Sequence, residues 1–285
     1  MPKKKTGRTK PKSAAQKLPA EPEKTRFPLG LLSSFLAIQL FALAIGAKFV
    51  LDQISIVEDP ADVSNSFIFF FYILAAAVVL ILVLTFYKGK WLFYLMELGL
   101  LFSASQVLFS LFVPDYSLLL GLLVMGLRVF FPPARNVLLM VVAGIVGALL
   151  GASFDIFPAA LFSILLAAYD YVAVFKTKHM VFLAQELYKR GAAFAVSLGD
   201  AKQQIELGTG DIVISSMLAV SSLKIGAVPN VAAAFSVITG AVAGLFFLVL
   251  VLRQRKGYLP ALPPLVASSL VFLLVYYLVS TFVPV

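Results

Sequence analysis

The chain has 285 residues, 61% of them hydrophobic and only 13% charged, with a mean hydropathy of +0.99. Such a composition belongs to a chain that buries apolar surface in lipid through several spans, and it excludes an ordinary water-soluble core. Cysteine is absent and His179 is the single histidine, so disulfides, thiolate metal sites and cysteine nucleophiles are excluded, and a histidine-ligated metal or Ser/His triad is disfavoured. No metal and no cofactor is expected.

The net charge of +9 is uneven, because residues 1–26 carry nine Lys/Arg against two Glu. Residues 1–27 are too polar and proline-rich to pack and are expected to form a disordered basic cytoplasmic tail. Attraction to anionic lipid headgroups accounts for its charge, and no nucleic-acid partner is expected. The apolar run that follows is long enough to span, so it reads as an anchor and not as a cleaved leader.

Nine apolar runs follow in chain order. They are Leu29 to Leu51, Ser66 to Tyr87, Trp91 to Val113, Leu118 to Phe131, Asn136 to Phe154, Ile156 to Phe175, Asp211 to about Leu223, Val231 to Leu252, and Leu262 to Val283. The expected fold is an all-α polytopic membrane protein of nine transmembrane helices, in one membrane domain. Residues 28–155 supply helices one to five, and residues 156–285 supply helices six to nine with a cytoplasmic loop at 176–210. The fourth and seventh runs are shorter than an ordinary span. Orientation supports keeping both: with nine helices and a cytoplasmic N-terminus, "YKGK", "PPAR", the "KTKH…YKR" loop and "RQRK" all fall on the cytoplasmic side. "MVFLAQELYKRGAAFAVSLG" within the long loop reads as an interfacial or partly ordered segment.

Few ionisable residues fall inside these runs, and each such residue is a functional-site hypothesis by default. Glu97 reads as structural, paired within the bundle or facing a wet cavity. Arg128 is expected to snorkel to the cytoplasmic face. Asp155 lies in a tight turn beside Pro158 and needs no functional reading. Asp170, in "LLAAYDYVAVFK", sits six residues before Lys176, about 9 Å below the end of its helix. Asp211, in "ELGTGDIVISSM", opens the seventh run, where a simple helix cap is one reading.

A second reading joins the two. The sixth helix exits on the side from which the seventh enters, so topology alone brings Asp170 and Asp211 to similar depth near one face. Two neighbouring carboxylates in a low dielectric cannot both ionise cheaply, which leaves an acid and a base together. Aspartic proteases use that pairing, one carboxylate activating water while its protonated partner polarises the peptide carbonyl. Gly208 and Gly210 permit close approach and non-helical backbone at the helix entrance. The competing class is a proton- or cation-coupled transporter or channel using the same carboxylates, although such residues usually lie near the midplane.

Three short motifs sharpen the choice. Tyr169-Asp170, then Gly208-Thr209-Gly210-Asp211, then Pro260-Ala261-Leu262 resemble, in order, the YD, GxGD and PAL motifs of the presenilin and signal peptide peptidase family. The resemblance implies an intramembrane aspartyl protease that cuts transmembrane segments or remnant signal peptides, with Asp170 and Asp211 as its dyad. It also implies that the PAL segment shapes the active site and binds substrate, with Tyr169, Gly208, Thr209 and Gly210 around the dyad. Asp200, in "VSLGDAKQQ", has Ser197 at the first glycine position and polar residues after it, so it belongs to the loop. The cytoplasmic N-terminus favours the presenilin-like branch, and the short chain and compact loop suggest an archaeal cell-membrane homologue. The expected partners are the lipid bilayer and transmembrane segments of substrates, without obligatory partner subunits.

Overall fold

In hydrocarbon every backbone N–H and C=O needs an internal partner, and the apolar runs meet that demand as helices. The computed structural model describes residues 29–176, 183, 186–187, 195–198, 205–226, 229–254 and 259–282. The basic tail, His179, Lys189, Arg190 and Asp200 lie outside the described residues. Nine helices occur among the described residues: α1 (Leu29–Leu51), α2 (Ser64–Phe86), α3 (Trp91–Ser110), α4 (Ser117–Phe130), α5 (Arg135–Ser153), α6 (Ile156–Phe175), α7 (Thr209–Ser221), α8 (Val231–Gln254) and α9 (Leu262–Phe282). Each corresponds to one of the nine apolar runs. Among the described residues, seven segments are long and apolar enough to cross a membrane, and α4 and α7 are not among them.

The short helix α7 is the centre of the bundle. It packs against α1, α5, α6, α8 and α9, and it is buried without a break from Ile214 to Ser221. A helix sheathed by protein needs neither full span length nor a uniformly apolar surface. Two of its serines turn back on their own helix, Ser215 Oγ donating to Asp211 O at 2.8 Å and Ser221 Oγ to Leu218 O at 3.1 Å. Small residues let the backbones close. On α5, a Cβ at Gly147 would lie 2.6 Å from Val213 O, and one at Gly151 would lie 2.6 Å from Met217 O.

Helices α2 to α4 form a thinner outer layer. α2 buries only Ser66 and Leu84, and α4 only Ser117 and Gly121. Their one deeply buried charge is Glu97, which accepts hydrogen bonds from Arg128 Nε at 2.7 Å and Arg135 Nε at 3.1 Å. The structural reading of Glu97 therefore acquires its partners. Arg128 departs from the snorkelling expectation: it turns inward to the carboxylate and stacks over Tyr94 at 5.5 Å from the ring centroid. A desolvated guanidinium is better served by a fixed carboxylate than by a partial reach to water.

The long connection between α6 and α7 holds more order than an interfacial stretch implies. Strands β1 (Ala195–Leu198) and β2 (Ile205–Gly208) pair antiparallel, with Ala195 opposite Gly208 and Leu198 opposite Ile205. Before them, Leu187 is buried in a small cluster with Leu84 of α2 and Phe93 of α3. Leu183 packs against the same cluster, so at these two residues the segment docks on protein.

Candidate active site

The two aspartates come from helices that run in opposite directions and touch. Asp170 lies in the last turns of α6 and Asp211 in the first turn of α7, and the Asp211 carboxylate is within electrostatic range of Asp170. Both are half-buried. The coincidence of depth expected from topology is therefore present in three dimensions.

Each carboxylate has a backbone partner. Asp211 accepts a hydrogen bond from the N–H of Gly208, three residues earlier, which is the N-cap of α7 with φ −63° and ψ 138°. This is the backward half of a capping box, in which an acid in the first turn satisfies the cap residue's own donor. Asp211 is therefore not the cap itself, as the simple cap reading had it: Gly208 holds that position and Asp211 answers its N–H from within the first turn. A side chain at Gly208 would crowd this geometry, since a Cβ there would stand 3.0 Å from Asp211 Oδ2. The non-helical backbone is confined to Gly208, because the helix already begins at Thr209. Gly210 is exposed, and a Cβ there would have nothing within 4 Å, so it marks the open side of the site.

Asp170 accepts its hydrogen bond from the backbone N–H of Leu262, the first residue of α9. The sequence explains why that donor is available. A helix start leaves its first N–H groups without intrahelical partners, and here Pro263 and Pro264 have no N–H at all. Leu262 therefore carries the one such donor among the first three residues of α9, at the positive end of the helix dipole. Pro260 is buried, Ala261 and Leu262 are half-buried, and Leu265 N–H returns to Ala261 O at 3.3 Å. The Pro260-Ala261-Leu262 segment is thus brought beside the aspartates through its backbone. This contact was missed in the sequence, although "ALPPL" contains its signal.

Tyr169 is half-buried and meets Phe70 of α2 edge-on, with ring centroids 6.4 Å apart. It borders the site from the α2 side. Thr209 is half-buried in the first turn of α7. Strand β2 ends at Gly208, so an extended strand runs directly into the helix that carries Asp211.

Comparison with known proteins agrees with this architecture. The family model described as signal-peptide peptidase, presenilin aspartyl protease matches residues 32–198. That match includes Tyr169 and Asp170 and ends before Asp211, so the later motifs stand on this chain's own sequence and geometry. Among solved structures, the fold is similar to one titled a presenilin family intramembrane aspartate protease, in space group C222, with TM-score 0.68 and 22% identity over 88% of this chain and 98% of that one. A P2 crystal form with the same description gives TM-score 0.63 and 22% identity, covering 88% of this chain and 97% of that chain. No curated protein matches the chain in sequence.

Proposed function

The chain belongs to the signal-peptide peptidase and presenilin family of aspartyl proteases, and on that premise we propose that it hydrolyses peptide bonds inside the transmembrane segments of other proteins, with Asp170 and Asp211 as the reacting pair. The observation that supports this reading is that the two carboxylates lie within electrostatic range of each other, each with a backbone N–H partner from a different element. Two acids so placed hold one proton between them. The ionised member takes a proton from water as the water oxygen attacks the scissile carbonyl carbon. The protonated member donates to the carbonyl oxygen, giving a tetrahedral diol, and proton return to the departing nitrogen breaks the C–N bond.

A substrate helix must unwind first, because its peptide bonds are sheltered by their own hydrogen bonds. The freed backbone groups then need partners in a place with little water. The outer edges of the β1–β2 pair, ending at Gly208, and the proline-interrupted Pro260-Ala261-Leu262 segment offer such partners beside the aspartates. Thr209 and Gly210 line the approach, and the missing side chain at Gly210 leaves room there for the substrate chain. Tyr169 closes the side toward α2. The distribution of basic loops supports a cytoplasmic N-terminus and a site near the cytoplasmic face. The enzyme acts as a single chain in the lipid bilayer of an archaeal cell, and its substrates are transmembrane segments or remnant signal peptides.

The test is to incubate the purified full chain with a transmembrane-segment peptide, comparing wild type with Asp170→Ala and Asp211→Ala. Both variants are expected to be silent, and cleavage by either removes the dyad assignment. A liposome flux assay tests the transporter alternative, which predicts proton or cation movement that both substitutions stop.

A further inference from the structure

Resting on the dyad reading, we propose that Lys224 and Asp155 form a clamp at the far end of the bundle that sets the axial register of the two catalytic helices, and so levels Asp170 with Asp211. Asp155 immediately precedes α6, and Lys224 closes the 3-10 turn Ser222–Lys224 that continues α7. Their side chains meet with Nζ–Oδ1 at 2.9 Å. One contact therefore joins the two helices at the ends opposite the aspartates.

The arms on either side are nearly matched. Asp170 lies fifteen residues beyond Asp155 and Asp211 thirteen residues before Lys224, which is about 22 Å and about 20 Å at the helical rise. Antiparallel helices pinned at one end with arms of similar length hold their other ends at one level. Between the ends, the faces that α6 and α7 contribute to the core include Phe162, Leu166, Ile214 and Leu218. Apolar contacts have no direction of their own and fix axial position less sharply than a hydrogen-bonded ion pair. A slip of one residue would displace one carboxylate by about 1.5 Å, and a misplacement of that size is enough to cost about a hundredfold in rate.

Two further bonds root the clamp. Lys224 Nζ also donates to Ala152 O at 2.8 Å, one of the terminal carbonyls of α5, where a cation suits the helix dipole. The backbone N–H of Asp155 donates to Pro60 O at 2.9 Å. The Asp155 side chain makes no capping bond to α6, so its carboxylate is free to serve Lys224. The carboxylate is partly exposed, so the pair contributes little to stability. Its role is in position, and Asp155 and Lys224 are positioning residues.

The experiment uses the whole chain. Lys224→Met and Asp155→Asn are compared with wild type for kcat and KM on a transmembrane peptide. Alongside, Kd is measured for a peptide carrying a hydroxyl-bearing carbon in place of the scissile carbonyl, which needs both carboxylates at one level. Each variant should lose about tenfold in kcat and weaken analogue binding by a similar factor, with KM and the melting midpoint little moved. A kcat within about twofold of wild type, or a kcat that falls only in step with the melting midpoint, overturns the clamp. Because the chain has no cysteine, the double variant Asp155→Cys/Lys224→Cys can be joined by a reversible bis-thiosulfonate linker. Linking should restore kcat and reductant should remove it again, whereas equal activity in both states overturns the proposal. Asp170→Ala and Asp211→Ala run in parallel: cleavage by either overturns the dyad and the clamp with it, while silence of both beside fully active clamp variants overturns the clamp alone.

Discussion

The two ends of the bundle are built on different principles. At the far end, hydrogen bonds cross between elements distant in sequence: Ile56 N–H to Ser153 Oγ at 2.9 Å, Ser66 Oγ to Pro158 O at 2.8 Å, Tyr276 Oη to Asn230 Oδ1 at 2.9 Å, and the Lys224 contacts. At the aspartate end, the carboxylates are held by backbone N–H groups of a glycine and of a residue followed by two prolines, and Gly210 faces open space. The far end spends side chains on fixing positions. Around the aspartates themselves the fixing groups are backbone N–H groups, while the Glu97 ion pairs of the same end lie out in the α3–α5 layer.

Substitutions at matched points of the two ends can break this contrast. The largest effect is expected from Asp170→Ala and Asp211→Ala, which should reduce cleavage by on the order of 10⁴-fold with a preserved melting transition. Next are two glycines, one at each end. Gly208→Ala presses a methyl against the Asp211 carboxylate and should lower kcat about ten- to a hundredfold. Gly226, at φ +100° beyond α7, should instead respond to alanine with a lower melting temperature, about 1 kcal/mol of strain, and near-normal kcat. If Gly226→Ala lowers kcat as much as Gly208→Ala does, the division of labour between the ends is wrong.

Leu262 offers a finer test of the backbone donor. Leu262→Pro keeps a residue suited to a helix start but deletes the N–H that reaches Asp170, so kcat should fall about tenfold. Leu262→Ala, which keeps the N–H, should lose less than half of that on a logarithmic scale. Equal losses would move the importance of Leu262 from its backbone to its side chain. At the aspartate end but out in the α3–α5 layer, Glu97→Gln leaves Arg128 and Arg135 without their shared carboxylate and should cost about 2–3 kcal/mol in unfolding measurements, with the folded fraction cleaving normally. The smallest effect belongs to the exposed Lys48–Asp52 pair at 2.7 Å, where Lys48→Ala should cost at most about 0.5 kcal/mol.

Much of the fold was legible because the bilayer imposes a simple rule. An apolar run of span length has to become a helix, and charge, proline and asparagine mark its limits, so α1 and α6 carry the boundaries expected for them. The two short helices were legible for another reason: only their inclusion gathers the basic loops on one side. The hairpin was not anticipated, because four-residue strands within a half-apolar segment carry too little periodicity to separate them from an interfacial stretch. Arg128 was misjudged because the sequence shows its distance from a helix end and not the carboxylate of α3 opposite it. Asp155 looked like an ordinary turn residue for the same reason, since its partnership with Lys224 joins positions 69 residues apart.

By itself, then, the sequence determined the nine helices, the common depth of Asp170 and Asp211, and the glycines and prolines beside them. All of these follow from hydrophobic length, chain direction and the local chemistry of single residues. The tertiary structure alone decided that α7 is the sheathed centre, that Leu262 supplies the donor to Asp170, that Glu97 binds two arginines, and that Lys224 ties α7 to the start of α6. Those are pairings between helices, and a helix pattern specifies which face is apolar without naming the residue that will meet it.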